Sequence, residues 1–154
     1  MIYDTALKTG NRALDIVLME KALFCKNHDI CWTCMADGEH LDFMRVEDIY
    51  AIFGNALDNA ITAVMKVTDP DKRVVSTKLI IQSDLMVIQV QNYYEGKLQF
   101  EKGLPLTTKK NKADHGYGMK SIRYTAEKYN GTITVQTKNQ IFMLQILIPV
   151  PNSA

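Results

Sequence analysis

Apolar positions along the chain change period several times, and each change marks an element. From Asn11 to Lys26, Leu14, Val17, Leu18, Ala22, Leu23 and Cys25 recur at helical spacing, which predicts a first helix. "DICWTCMA", Asp29 to Ala36, is rich in strand formers, and Asp37-Gly38 supplies a turn after it. The strongest pattern runs from Val46 to Lys66, where Val46, Ile49, Tyr50, Phe53, Leu57, Ala60, Ile61 and Val64 fall on one stripe of a central helix. Past a loop at Pro70 the period drops to two. "VVSTKLIIQ" and "LMVIQVQ" flank Ser83-Asp84 as a hairpin, with Met86, Ile88 and Val90 on one face. Tyr93 to Asp114 shows no period and carries Gly96, Gly103 and Pro105, a loop long enough to suggest a function of its own. Met119, Ile122, Ala126 and Tyr129 then space out a third helix that stops at Asn130-Gly131. "TITVQ" and "IFMLQILIPV" close the chain as a second hairpin around Lys138-Asn139.

This order of elements predicts an α+β fold, one sheet with helices on one face, rather than the strand-helix alternation of a doubly wound domain. "HGYGMKSI", His115 to Ile122, therefore lacks the context of a dinucleotide fingerprint, whose glycines sit in a tight turn directly after the first strand. A chain of 154 residues with 47% hydrophobic content fits one domain. Its apolar runs end well short of the ~20 positions that a membrane helix needs, and no signal-peptide pattern opens it, so a soluble piece is expected. With 18 Lys+Arg against 17 Asp+Glu, the net charge of +1 gives no global attraction to nucleic acid. Three cysteines, an odd number, suit a reducing, cytoplasmic setting better than a disulfide framework.

The central helix has a second face. At 100° per residue, Asn55, Asp58, Asn59, Thr62 and Lys66 lie within about 60° of one direction, opposite the apolar stripe. An ordinary solvated face favours Lys, Glu or Gln, whereas each mid-helix asparagine costs up to ~0.7 kcal/mol of propensity relative to alanine. Use of the amides accounts for that cost. An amide oxygen is a hard, neutral ligand, able to join phosphate oxygens on Mg²⁺ without a carboxylate's repulsion, and Lys66 is placed to meet phosphate charge.

"FGNALDNAI", the strand-ending "VQNYYEG", "TTKK" and "HGYGMKSI", in that order and spacing, resemble the ATP-binding catalytic domain of sensor histidine kinases, within the wider GHKL family that includes gyrase and MutL. The similarity covers about 11–150 and is nearest to kinases of the Agr quorum-sensing type. It implies a Bergerat fold: a two-layer α/β sandwich whose sheet of about five strands is mixed, mainly antiparallel, with three helices on one face. Residues 1–10 would then be a junction from an upstream region, and 151–154 a tail. By position, Asn55 and Asn59 match the segment that holds Mg²⁺ and phosphates, with Asp58 and Lys66 beside them. Asn92 matches the adenine-recognising position, and Gly96 is the surviving glycine of that motif. An amide there, in place of the more general aspartate, still offers an acceptor and donors to the adenine edge. The resemblance makes the loop from Tyr93 to Asp114 a lid over the nucleotide; Thr108 and Lys109 fall in it, Lys109 as a phosphate contact. His115, Gly116, Tyr117, Gly118 and Met119 match the second glycine motif, where backbone N–H groups at a helix start approach the phosphates.

The resemblance implies an ATP- and Mg²⁺-dependent protein-histidine kinase domain, with Asn55 at the catalytic position. ATPases of the wider family carry there a glutamate that acts as general base. An amide cannot take the proton, so slow hydrolysis is expected, with the γ-phosphoryl group passed to a histidine elsewhere. His28-Asp29 copies an acceptor pair only superficially, since it ends the first helix just before a strand. The acceptor is expected on an upstream dimerisation domain absent from this chain, with membrane segments, if any, upstream too, a homodimeric whole protein, and a response regulator as final partner. Other readings are a non-catalytic nucleotide-sensing module or a serine-directed kinase of the anti-sigma-factor type. Cys31 and Cys34 could suggest metal or redox chemistry, but positions three apart in a strand point to opposite faces and no second pair completes a site.

Overall fold

The computed structural model describes residues 8–98, 100–101, 104–105 and 112–151, with side chains described for all of these except 100–101, 104–105 and 112–117. In chain order the elements are α1 (Arg12–Asn27), β1 (Cys31–Ala36), α2 (Val46–Ile49), α3 (Asn55–Met65), β2 (Val74–Gln82), β3 (Leu85–Tyr93), β4 (Phe100–Glu101), β5 (Leu104–Pro105), α4 (Lys112–Lys128), β6 (Thr132–Lys138) and β7 (Ile141–Pro149). Five strands form one sheet in the order β1-β2-β3-β7-β6, and β4 and β5 pair as a small separate ribbon. β1 runs parallel to β2, which requires a long crossover, and that crossover carries α2 and α3 over one face. The remaining pairings of the large sheet are antiparallel, so the sheet is mixed as expected.

The period-two pattern decides which face is covered. Met86, Ile88, Val90 and Asn92 of β3 are all buried, as are Phe142, Leu144, Ile146 and Ile148 of β7 and Val75, Thr77 and Leu79 of β2. Leu14 and Leu18 of α1, Leu57, Ala60 and Val64 of α3, and Met119, Ile122 and Ala126 of α4 close over them as one core. Trp32, fully buried, donates its indole N–H to Thr77 Oγ1 at 2.9 Å, so the tryptophan is a core residue with its polar atom satisfied. Asn11 caps α1 by accepting from the Leu14 N–H at 2.9 Å. At the end of α4, Asn130 takes a positive φ of 60° and the Gly131 N–H bonds to Ala126 O at 2.9 Å, the expected stop. A side chain at Gly131 would meet Leu147 O at 2.7 Å, so glycine is required there by the closeness of β7.

Two expectations are corrected. The central helix is continuous through 46–65, but its middle, Tyr50–Gly54, is a π turn. The wider turn accommodates one extra residue, and everything N-terminal to it is rotated by about 100° relative to a plain α-helix. Val46 and Tyr50 therefore leave the apolar stripe, at 53% and 39% exposure, while Asp48 turns inward. The second correction concerns α4, which begins at Lys112, so the glycines of "HGYG" lie inside the helix rather than ahead of it. Lys112, Ala113 and Asp114 carry no stop signal, and helical geometry extends back through them.

Candidate functional site

The π turn opens directly onto Asn55, and the local bonding there is specific. The Asn55 backbone N–H reaches both Ala51 O and Ile52 O, and its side-chain Nδ2 also donates to Ala51 O at 2.7 Å. This side-chain bond back along the helix fixes the orientation of the amide and leaves Oδ1 as its presented atom. A Cβ added at Gly118 of α4 would lie 3.7 Å from that oxygen. Part of the cost of an asparagine in mid-helix is thus offset by its backbone bond. The other part, an acceptor unengaged among the described residues, faces α4.

Beside this oxygen lies a cavity of about 660 Å³, open on one side. Its polar side is α3, with Asn55, Asp58, Asn59 and Thr62. α4 contributes Gly118 and Met119, and α1 contributes Glu20, Lys21, Leu23 and Phe24. Lys21 Nζ bonds Asp58 Oδ1 at 2.6 Å and lies 3.6 Å from Glu20 Oε1. Exposed apolar surface at Leu23 (47%) and Phe24 (38%) makes the α1 wall partly hydrophobic.

Asn92 is the other unusual polar group. It is 2% exposed near the end of β3, between Val75 and Phe142 in the ladder. Its Nδ2 donates to Tyr93 O at 3.0 Å, and its Oδ1 has no hydrogen-bond partner among the described residues. A buried acceptor without a donor costs about 1–3 kcal/mol, so this oxygen is placed at the expense of stability.

Of the residues singled out in the sequence, Asn55, Asp58, Asn59, Gly118 and Met119 meet around the cavity, and Met119 is otherwise a core residue. Asn92 lies beneath the helix layer and does not line it. Lys66 closes α3 at an exposed position away from the cavity lining. Gly96 has φ 88°, and a side chain there would meet none of the described residues within 4 Å, so the backbone conformation is what calls for glycine; its carbonyl accepts from Gln140 Nε2 at 3.3 Å. Thr108 and Lys109 lie outside the described residues, as do the side chains of His115 and Tyr117. Gly116 and Gly118 stand beyond the first four N–H groups of α4, so their N–H groups are not the unpaired donors of a helix start in this conformation.

Lys21 was not anticipated. The signal was present, since Lys21 interrupts an inward stripe at Leu14, Leu18 and Cys25, but a lysine among leucines also reads as an ordinary snorkelling side chain. The other chemically suggestive residues have packing roles. His28 caps α1, donates from Nδ1 to the Phe24 carbonyl oxygen at 2.8 Å, and stacks on the Phe24 ring at 3.8 Å. Burial pushes the Cys34 thiol up to about 12, and burial, opposed by Lys21, pushes Cys25 up to about 11, so both stay protonated and unreactive at neutral pH.

A separate polar cluster ties the N-terminal part of the central helix to the end of α4. Lys128 Nζ bonds Asp48 Oδ1 at 2.6 Å, the Tyr129 hydroxyl donates to Asp48 Oδ2, and the Arg45 N–H donates to the Tyr129 oxygen at 3.0 Å. Burial pushes the Asp48 carboxyl up, but the hydrogen bonds from Lys128 and Tyr129 outweigh it and hold the carboxyl below its ordinary value of 3.8.

Comparison with known proteins bears on what this arrangement is. A family model described as GHKL domain matches residues 44–149. Among solved structures, the nucleotide-free catalytic domain of histidine kinase ThkA superposes with a TM-score of 0.68 at 17% identity, covering 92% of this chain and 95% of that one. A second nucleotide-free form of the same domain gives 0.65 at 16% identity, covering 93% and 94%. Histidine kinase AdeS of Acinetobacter baumannii gives 0.59 at 11% identity, covering 91% of this chain and 64% of that one. Identities this low speak for the fold alone. No curated protein sequence matches the chain closely. Among the described residues, no helix is long and apolar enough to cross a membrane. The matched segment takes in the asparagine face of α3, the buried Asn92 and the glycines of α4: the chain belongs to the GHKL family, as an ATP-binding domain with the fold of histidine kinase catalytic domains.

Proposed function

We propose that this domain binds Mg-ATP and transfers the γ-phosphoryl group to a histidine on a separate dimerisation domain, which would pass it to a response regulator. The observation that carries the proposal is the gathering of Asn55, Asp58 and Asn59 with Gly118 around one cavity. The residues present fit both parts of the ligand. The unpartnered Asn92 Oδ1 is a buried acceptor suited to the exocyclic amino group of adenine, and a donor there would remove its desolvation cost. Asn59 and the Oδ1 of Asn55 are hard, neutral oxygens suited to Mg²⁺. The metal would neutralise phosphate charge as the terminal group departs.

The chain's own residues then define what is easy and what is hard. Asn55 has no basic atom, and its Nδ2 is committed to Ala51 O, so it orients and does not deprotonate. Water is therefore poorly activated, and an incoming imidazole, already nucleophilic, is favoured. Asp58 is paired with Lys21 at 2.6 Å. Leu23 and Phe24 give the cavity's rim an apolar border next to the polar amides.

Titration calorimetry with Mg-ATP and Mg-ADP is the test, followed by transfer of labelled phosphate to a supplied acceptor domain. Loss of one charge-assisted contact is worth about 1.5–3 kcal/mol, so Asn59→Ala should weaken Mg-ATP binding roughly tenfold to a hundredfold. Absence of binding by the unmodified chain would overturn the proposal. Binding without transfer would favour the nucleotide-sensing module instead.

A further inference from the structure

Lys21 belongs to the inward side of α1, with Leu14 and Leu18 before it and Cys25 after it, and its side chain is 14% exposed. The stem of Lys21 is mostly covered while its ammonium faces the open cavity, where an anionic partner favours it. Its partner is asymmetric: the Asp58 side chain is 62% exposed. The acid is the more solvated of the two, and the stem of the lysine the more covered. Lys21 is also the sole cation among the described residues lining the cavity, where it stands against the carboxylates of Glu20 and Asp58. Position 62 on the same face of α3 is a threonine and adds no charge.

We propose that Lys21 is the phosphate-binding cation of this cavity, exchanging Asp58 for phosphate oxygens when nucleotide enters. This rests on the Mg-ATP reading above and names a contact within it. The exchange needs no covalent step: one ion pair opens, its carboxylate returns to water, and the ammonium keeps an anionic partner of higher charge. A phosphate group is the ligand class chosen because three ammonium donors match its clustered oxygens, while the amides of Asn55 and Asn59 supply no charge.

The test compares Mg-ATP with adenosine on the unmodified chain, Lys21→Met, Lys21→Arg and Asp58→Asn. Methionine keeps the length and apolar stem of the lysine, so packing against α1 and α3 is retained and thermal unfolding reports on it. Expected results are a loss of tenfold or more in Mg-ATP affinity for Lys21→Met with adenosine unchanged, partial retention in Lys21→Arg, and tighter Mg-ATP binding in Asp58→Asn. If the pair is only a clamp between helices, Lys21→Met and Asp58→Asn will shift unfolding alike and leave the ratio of the two affinities untouched, which overturns the proposal. No Mg-ATP binding by the unmodified chain overturns the functional reading itself. Normal binding in Lys21→Met overturns only the role of Lys21.

Discussion

Two polar clusters sit at opposite ends of the central helix, and they are built to different standards. Around Asp48 every group is used: Lys128 and Tyr129 satisfy both carboxylate oxygens, and the Tyr129 oxygen accepts the Arg45 N–H in turn. At the cavity and in the sheet beneath the helix layer, acceptors are left open among the described residues. Asn92 Oδ1 is buried without a donor among the described residues, and Asn55 Oδ1 faces Gly118 across ordinary contact distance. Folding alone explains the first cluster, because a fully paired buried network fixes how two elements meet. It does not explain the second, which lowers stability unless something else completes it. The contrast separates a joint from a receptor without reference to any ligand.

Replacing groups in each cluster should therefore have opposite signatures. The largest effect is expected at Asn92. Asn92→Leu removes the acceptor offered to adenine and should reduce Mg-ATP affinity by about a hundredfold, while removing the unsatisfied oxygen should raise stability by about 1 kcal/mol in urea unfolding. If the variant is both weaker in binding and less stable, Asn92 belongs with the joint. At Asp48 the reverse holds. Asp48→Ala leaves Lys128 and Tyr129 without their acceptor and should lower stability by about 2 kcal/mol, with nucleotide affinity of the folded protein little changed.

The same carboxyl gives a pH signature. Its folded value lies below 3.8, so its contribution is present at neutral pH and is lost as pH falls from that ordinary value toward the folded one. The stability gap between the unmodified chain and Asp48→Asn should narrow between neutral pH and about pH 3, as read by urea midpoints at each pH. A gap that stays constant would show that the carboxyl carries no such linkage. The smallest effect is expected at Gly118. Among the described residues a methyl group there meets only Asn55 Oδ1 at 3.7 Å, and alanine in a helix is favoured over glycine, so Gly118→Ala should stabilise the nucleotide-free chain by about 0.5–1 kcal/mol. Weaker Mg-ATP binding in that variant would mean that the glycine serves the bound state. Unchanged binding would return Gly118 to the status of a helix residue.

How far the sequence carried depends on whether a feature is local. Strand alternation placed Met86, Ile88 and Val90 inward, and Asn92 follows by the same period, so a buried amide at the strand end was legible. The polar face of α3 was legible because Asn55, Asp58, Asn59 and Thr62 fall after the π turn, where the α-helical period is undisturbed. Val46 and Tyr50 were misplaced for the same reason, since they precede or enter a turn that no residue type announces. The start of α4 was missed because glycine pairs weigh toward loops, although the flanking residues tolerate helix. Lys21 escaped because its meaning lies in Asp58, far along the chain and on another helix.

The π turn also sets what a length change would do. Deleting a single residue within Tyr50–Gly54 would restore an uninterrupted α-helix, bring Val46 back over the core and swing Asp48 toward water. The tether to Lys128 and Tyr129 would be lost, and the N-terminal half of the helix would be turned by about 100° against the asparagine face that follows it. A one-residue indel is harmless in most loops; in this helix it would act as a gear slipped by one tooth, leaving each part intact and the two ends of the mechanism out of phase.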